Sequence, residues 1–222
     1  MNEYSIDINK LIWGNDPVKS KKVGLFFGTF NPIHVGHLII ANYIVSSTDM
    51  DEVWFVVTPH NPHKKKANLL EDHHRLAMVR EAIENNDNLR ASDIEFSLSQ
   101  PNYTTDTLVH LREKHPTHQF ALIMGEDNLR TFHKWKNYKE ILEHHPVLVY
   151  PRVTTIQEEA TSETIEELKQ HARIIKCDAP LMNLSATFIR NSIQSGVDVK
   201  YMLTDKVYKY VDEMNFYKKK LK

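Results

Sequence analysis

The chain of 222 residues carries 28 basic and 29 acidic side chains, a formal charge of −1 and 41% hydrophobic residues, which describes one ordinary domain with enough apolar chain for a real core and no basic excess of the kind that wraps nucleic acid. One cysteine, Cys177, excludes an intramolecular disulfide framework and a cysteine-rich zinc site. Apolar stretches fall short of the roughly 18 residues that span a bilayer, and the first twenty residues lack a secretory pattern, so a cytoplasmic chain with no membrane or nucleic-acid partner is expected.

Residues 1–20 are mixed and polar, end in an Asn15-Asp16-Pro17 turn signal and read as an N-terminal extension. Residues 21–222 read as a single domain whose C-terminal part, from about 180, is helical. Residues 23–27 form a short apolar run suited to a buried strand. Residues 36–47 place Leu38, Ile39, Tyr43 and Ile44 at helical spacing, and 52–58 (EVWFVVT) is a second buried strand. A helix over 71–85 follows, with Leu76, Met78, Val79 and Ile83 apolar, then a strand at 89–92 and a helix at 104–114. Residues 119–124 form a strand, 127–143 are helical stretches, and 146–150 and 172–176 are two more strands. Helices over 185–195 and 204–214 close the chain. Strands alternating with helices in this way predict the α/β class, a doubly wound (Rossmann-like) parallel sheet with a small helical C-terminal part.

Six glycines in 222 residues is under half the usual frequency of about 7%, so each one marks a tight turn or a close approach. The strongest chemical pattern is GLFFGTFNPIHVGHL over residues 24–38. Gly28 lies where the chain leaves the first strand, and its missing side chain would let a phosphate reach the amides. Asn31-Pro32 turns the chain into a helix, and His34 and His37 share one face of its first turn, where the helix end favours an anion. The bland reading is a capped helix with two surface histidines.

Ser185 starts a later helix that it can cap, with Arg190 about a turn and a half further on. Thr104 and Asp127 stand near the starts of two other helices, and Trp135 follows; taken singly these read as a cap, a first-turn acid and a core aromatic. Adjacent histidine pairs (His73-His74, His144-His145) and His60/His63 lack a carboxylate at a known ligand spacing, so no protein-bound metal is expected. Lysine runs at 64–66 and 218–220 read as solvated surface, and Cys177 as a buried structural residue.

The segment over residues 24–38 resembles the GGTFDPxHxGH signature of the nucleotidyltransferases, with Phe27 for the first glycine and Asn31 for the common Asp. Residues 184–190 (LSATFIR) resemble the ISxTxIR motif of the same superfamily. The stretch from Asn102 to Leu108 and the Gly125-Glu126-Asp127-Asn128-Leu129 stretch with Trp135 resemble segments of the nicotinate mononucleotide adenylyltransferases, as does His63-Lys64, in a loop shortened by one residue. The resemblance covers residues 22–216 and implies adenylyl transfer from ATP to nicotinate mononucleotide, a step of NAD synthesis. It implies His34, His37 and Arg190 as catalytic residues, with Phe27, Gly28, Thr29, Phe30, Gly125, Asp127 and Ser185 joining them on ATP. It implies His63, Lys64, Thr104, Asp127 and Trp135 on the mononucleotide, and Mg²⁺ carried by ATP; a homo-oligomer is compatible with all of this. Alternatives left open are nicotinamide mononucleotide or another phosphate acceptor such as phosphopantetheine, and a nucleotide-binding regulator without catalysis.

Overall fold

The structure, a computed structural model, describes residues 13, 20–59, 69–152, 167–168, 170–171 and 173–219. Its strands are β1 (Lys21–Gly28), β2 (Glu52–Val57), β3 (Leu89–Ser92), β4 (His118–Gly125), β5 (Val147–Tyr150) and β6 (Ile174–Lys176). Its helices are α1 (Val35–Ser47), α2 (Asp72–Ile83), α3 (Thr104–Lys114), α4 (Glu126–Phe132), α5 (Tyr138–His144), α6 (Ala186–Gln194) and α7 (Asp205–Glu213).

The strands pair in the order β3-β2-β1-β4-β5-β6, and every neighbouring pair is parallel. The chain therefore works outward from β1 to β3, returns to β4 beside β1, and works outward again. That reversal opens a crevice outside the carboxyl ends of β1 and β4, where doubly wound sheets bind ligands. The sheet is buried on both faces, as the unbroken apolar β2 (EVWFVV) requires. Successive side chains alternate between two cores. Phe26, Phe55 and Val57 meet Ile44, Val79, Ile189 and Val207 from α1, α2, α6 and α7. Leu25, Trp54 and Val56 meet Leu108, Leu129 and Ile141 from α3, α4 and α5.

The doubly wound fold and helical C-terminal part stand as expected, and each expected strand is present. The helical stretches expected over 127–143 are α4 and α5; α4 ends at Phe132, and Asn137, just before α5, takes the left-handed conformation, φ 53°. A 3-10 turn over Ile94–Ser97, unforeseen in the sequence, buries Glu95, whose Oε1 accepts a hydrogen bond from Thr107 Oγ1 at 2.8 Å.

Candidate active site

The β1–α1 turn is built around Phe30. Its φ is 44°, a region costly for a bulky side chain, and its ring is buried against Phe26, Phe55 and His37 at centroid distances of 6.0, 5.4 and 5.2 Å. A Cβ at Gly28 would meet that ring at 2.9 Å, so glycine here makes room for Phe30. Gly36 acts similarly toward the site: a Cβ there would stand 3.0 Å from His34 Nδ1, and its absence lets the imidazole lie over the first turn of α1.

His34 is the N-cap residue of α1 and His37 sits in its first turn. Their rings stack, 3.7 Å between centroids and 22° between planes. His37 Nδ1 accepts a hydrogen bond from the His34 backbone N–H at 3.2 Å. Neutral His37 therefore carries its proton on Nε2. Burial, and secondarily the nearby charge of Arg152, pull the His34 pKa down to about 4. At neutral pH His34 is an uncharged imidazole, a hydrogen-bond donor in a dry place rather than a cation.

These histidines form one wall of a cleft of about 600 Å³, together with Phe27, Gly28, Thr29, Phe30 and Asn31. Asp127 and Asn128 from α4, Tyr150 and Arg152 from the end of β5, and Ser185, Thr187 and Arg190 from α6 complete it. Gly125 ends β4 and is the N-cap residue of α4, next to that wall. Ser185 caps α6, its Oγ accepting the Phe188 N–H at 3.1 Å, so the bland reading of Ser185 holds alongside its place in the cleft. Arg190 donates from Nη1 to the Asn31 carbonyl at 2.8 Å and from Nη2 to Thr187 Oγ1 at 3.1 Å. Arg152 Nε lies 3.8 Å from Asp127 Oδ1. Two guanidinium groups thus face a cleft that also receives the N-terminus of the thirteen-residue α1, an arrangement that favours a polyanion.

Behind the cleft lies Arg75, wholly buried on α2. Its Nη1 donates to the carbonyls of Thr29 and Thr58 at 2.7 and 2.8 Å, its Nη2 to Pro59 at 3.0 Å and to Asp72, and its Nε to Leu70 at 3.0 Å. One planar fork therefore ties the turn after β1 to the turn after β2. No local pattern marks this role, because Arg75 looks like any polar residue of an amphipathic helix. Arg152 could have been found: it is the first basic residue past a buried strand whose carboxyl end meets the crevice.

Thr104 and Trp135 lie outside the described walls of this cleft and form a second group. Thr105 Oγ1 donates to the Lys136 carbonyl at 2.7 Å, Lys136 Nζ reaches Asp106 at 3.0 Å, and the same ammonium stands 4.6 Å from the centre of the Tyr103 ring. The N-terminus of α3 and the turn holding Trp135 are thus one assembly. Trp135 is half-buried, its ring edge-on to Phe132 at 5.3 Å. His63 and Lys64 lie outside the described residues. Lys218 is less free than a solvated run suggests, bonding Asp212 Oδ1 at 2.8 Å. Cys177 is buried as expected, with its thiol pushed up to about 11 by desolvation. Among the described residues one group, Glu140, Glu143 and His144 on α5, has its ligand atoms close enough for an ion, away from the cleft and exposed.

The cytidylyltransferase-like family model matches residues 25–192. A protein of Christiangramia forsetii named probable nicotinate-nucleotide adenylyltransferase is 56% identical over 199 residues, 90% of this chain and all of that one. A protein of Flavobacterium johnsoniae with the same name is 55% identical over 198 residues, 89% of this chain and all of that one. Plasmodium falciparum nicotinic acid mononucleotide adenylyltransferase, solved complexed with NaAD, superposes with a TM-score of 0.72 at 22% identity, over 89% of this chain and 97% of that one, a likeness of fold. On these matches, which run through the β1–α1 turn and α6, the chain belongs to the cytidylyltransferase-like family and, within it, to the nicotinate-nucleotide adenylyltransferases.

Proposed function

We propose that the chain transfers the adenylyl group of ATP to nicotinate mononucleotide, releasing pyrophosphate, and that the cleft between β1, β4 and α6 holds the triphosphate. The observation that carries this reading is the convergence of Arg152, Arg190, the stacked His34–His37 pair and the α1 N-terminus on one cleft. An oxygen of the acceptor phosphate attacks the α-phosphorus. The bond from that phosphorus to the bridging oxygen breaks, and pyrophosphate leaves with the electron pair. The acceptor phosphate is already an anion at neutral pH, so the protein needs no general base; its work is to align the reactants and to stabilise moving charge.

In this reading His34 and His37 donate to the α- and β-phosphates, with the Thr29 and Phe30 backbone close by. Arg190, and Ser185 at the start of α6, take the β/γ end, where negative charge accumulates. Neutral His34 suits this role: in a desolvated site a donor stabilises developing charge without the cost of holding a buried cation. Asp127, paired with Arg152, contacts ribose, while Thr104, Trp135, His63 and Lys64 serve the nicotinate mononucleotide.

Asp127 is the one carboxylate among the described residues of the cleft wall, a donor set suited to a cation carried by phosphate oxygens and water rather than by the protein. Mg²⁺ enters with ATP on this reading and supplies charge neutralisation along the triphosphate. The deciding experiment is pyrophosphate release from ATP with nicotinate mononucleotide, nicotinamide mononucleotide and phosphopantetheine offered separately. Turnover highest with nicotinate mononucleotide is expected. Preference for another acceptor would reassign the substrate, and no turnover with any of them would leave a nucleotide-binding regulator.

A further inference from the structure

We infer that Tyr217, in the segment after α7, is a positioning residue for the ATP half of the site, acting through Asn31 on Arg190. Its hydroxyl donates to Asn31 Oδ1 at 2.8 Å across 186 residues of sequence. The same oxygen accepts the Leu70 N–H at 3.3 Å, while the Asn31 carbonyl accepts Arg190 Nη1 at 2.8 Å. Asn31 is buried. Its side-chain oxygen and its main-chain oxygen thus face two different C-terminal elements, and α6 meets the β1–α1 turn at this residue.

The backbone shows why the turn needs an outside hold. Phe30, immediately before Asn31, has φ 44°. A non-glycine residue in that region persists only where its surroundings over-determine it. The bonds from Tyr217 and Arg190 to the next residue are part of that determination. Tyr217 is itself left-handed, φ 63°, and Asn215 likewise, φ 52°. Asparagine tolerates this conformation after a helix, whereas tyrosine does not favour it. The chain therefore accepts an unfavourable backbone at the residue whose hydroxyl holds Asn31. Phe216 anchors the segment, packing against His74 of α2 at 4.8 Å and Tyr210 of α7 at 6.0 Å. Burial raises the Tyr217 phenol well above its usual range, opposed by the charges of Arg190 and Arg75. The phenol stays protonated and keeps donating.

The inference rests on the cleft being the triphosphate site, so its test includes a variant of Arg190. Kinetic constants for ATP and for nicotinate mononucleotide, with melting temperature, are measured for Tyr217→Phe, Asn31→Leu, the double variant and Arg190→Lys. Tyr217→Phe removes one oxygen and is expected to lower kcat/KM for ATP by about fivefold to twentyfold while the mononucleotide KM stays within twofold. Asn31→Leu is expected to show the same one-sided loss, and the two losses should not multiply, as residues in one network behave. A Tyr217→Phe enzyme within twofold of wild type for ATP, beside an impaired Arg190→Lys, overturns the positioning role and leaves the site assignment standing. Normal ATP use by Arg190→Lys overturns the assignment itself. Equal losses toward both substrates, tracking the melting temperature, make Tyr217 a structural residue only and also overturn the inference. If Tyr217→Phe does not fold, Asn31→Leu read against both substrates decides by the same criteria.

Discussion

The imidazoles of His34 and His37 lie 3.7 Å apart and nearly parallel, joined by the hydrogen bond from the His34 N–H to His37 Nδ1. The pair works as a unit. The bond fixes the tautomer of His37, and the stacked His34 ring holds its plane. His37→Ala removes a preorganised donor, and loss of one such donor costs about 10²–10³ in kcat. The expected outcome is a fall in kcat of that order with ATP binding and melting temperature largely kept. A variant with more than about a third of wild-type kcat excludes a transition-state role for His37.

Arg75 supports a second prediction. Its five N–H donors all go to named acceptors, four backbone carbonyls and the Asp72 carboxylate. Deleting it leaves those carbonyls facing a dry cavity, and breaking buried ionic contacts of this kind costs about 3–5 kcal/mol. Arg75→Ala should therefore lower the melting temperature by roughly 6–20 °C for a chain of this size. Arg75→Lys keeps the charge but not the planar fork, so it should lie between wild type and alanine. Thermal unfolding of the two variants side by side checks this; an unshifted alanine variant shows that the brace holds nothing.

How far such features were legible in the sequence follows from how local their causes are. The alternation of strand and helix is local, and so is the spacing of His34 and His37; both came through. That Gly28 also makes room for the Phe30 ring is not legible locally, since Phe30 sits in a turn with φ 44° packed against Phe26 and Phe55. Tyr217 meets Asn31 across 186 positions and Arg75 meets Thr29 across 46, and no periodicity reports contacts of that range.

Two buried histidines contribute to the acid sensitivity of the fold. Burial pulls both His34 and His145 down to about 4. His145 Nδ1 lies 2.9 Å from the Phe120 carbonyl, at the amino ends of β4 and β5 and so at the opposite end of the strands from the cleft. Because the folded pKa is depressed, the unfolded chain takes up these protons first. Stability is therefore complete above about pH 6.5 and falls as the pH drops toward about 4, by on the order of 3 kcal/mol for each histidine. His145→Gln should remove its share of that slope between pH 6.5 and 4 and leave turnover at neutral pH unchanged. Denaturant unfolding at several pH values measures it; an unaltered slope shows that other groups carry the acid response.

Trp135 tests the acceptor half of the proposed site, and the structure allows it two roles at once. One edge of its ring packs on Phe132, and the side chain remains half-buried. The following residue is tied to the start of α3 by the Thr105–Lys136 bond. A ring held beside a helix N-terminus can stack on a pyridine while the first-turn amides and the helix dipole meet a carboxylate. Base–aromatic stacking is worth about 1–3 kcal/mol where alanine has replaced the aromatic, so Trp135→Ala should raise the mononucleotide KM about tenfold or more. Preference for the acid over the amide should move less, because both rings stack alike. Trp135→Phe keeps a flat face and should recover much of the loss. If Trp135 only fills core, alanine lowers stability by several kcal/mol and both mononucleotides keep their KM. Melting temperature and both KM values from one preparation separate the two, and an unchanged KM beside a collapsed melting temperature would return Trp135 to the core.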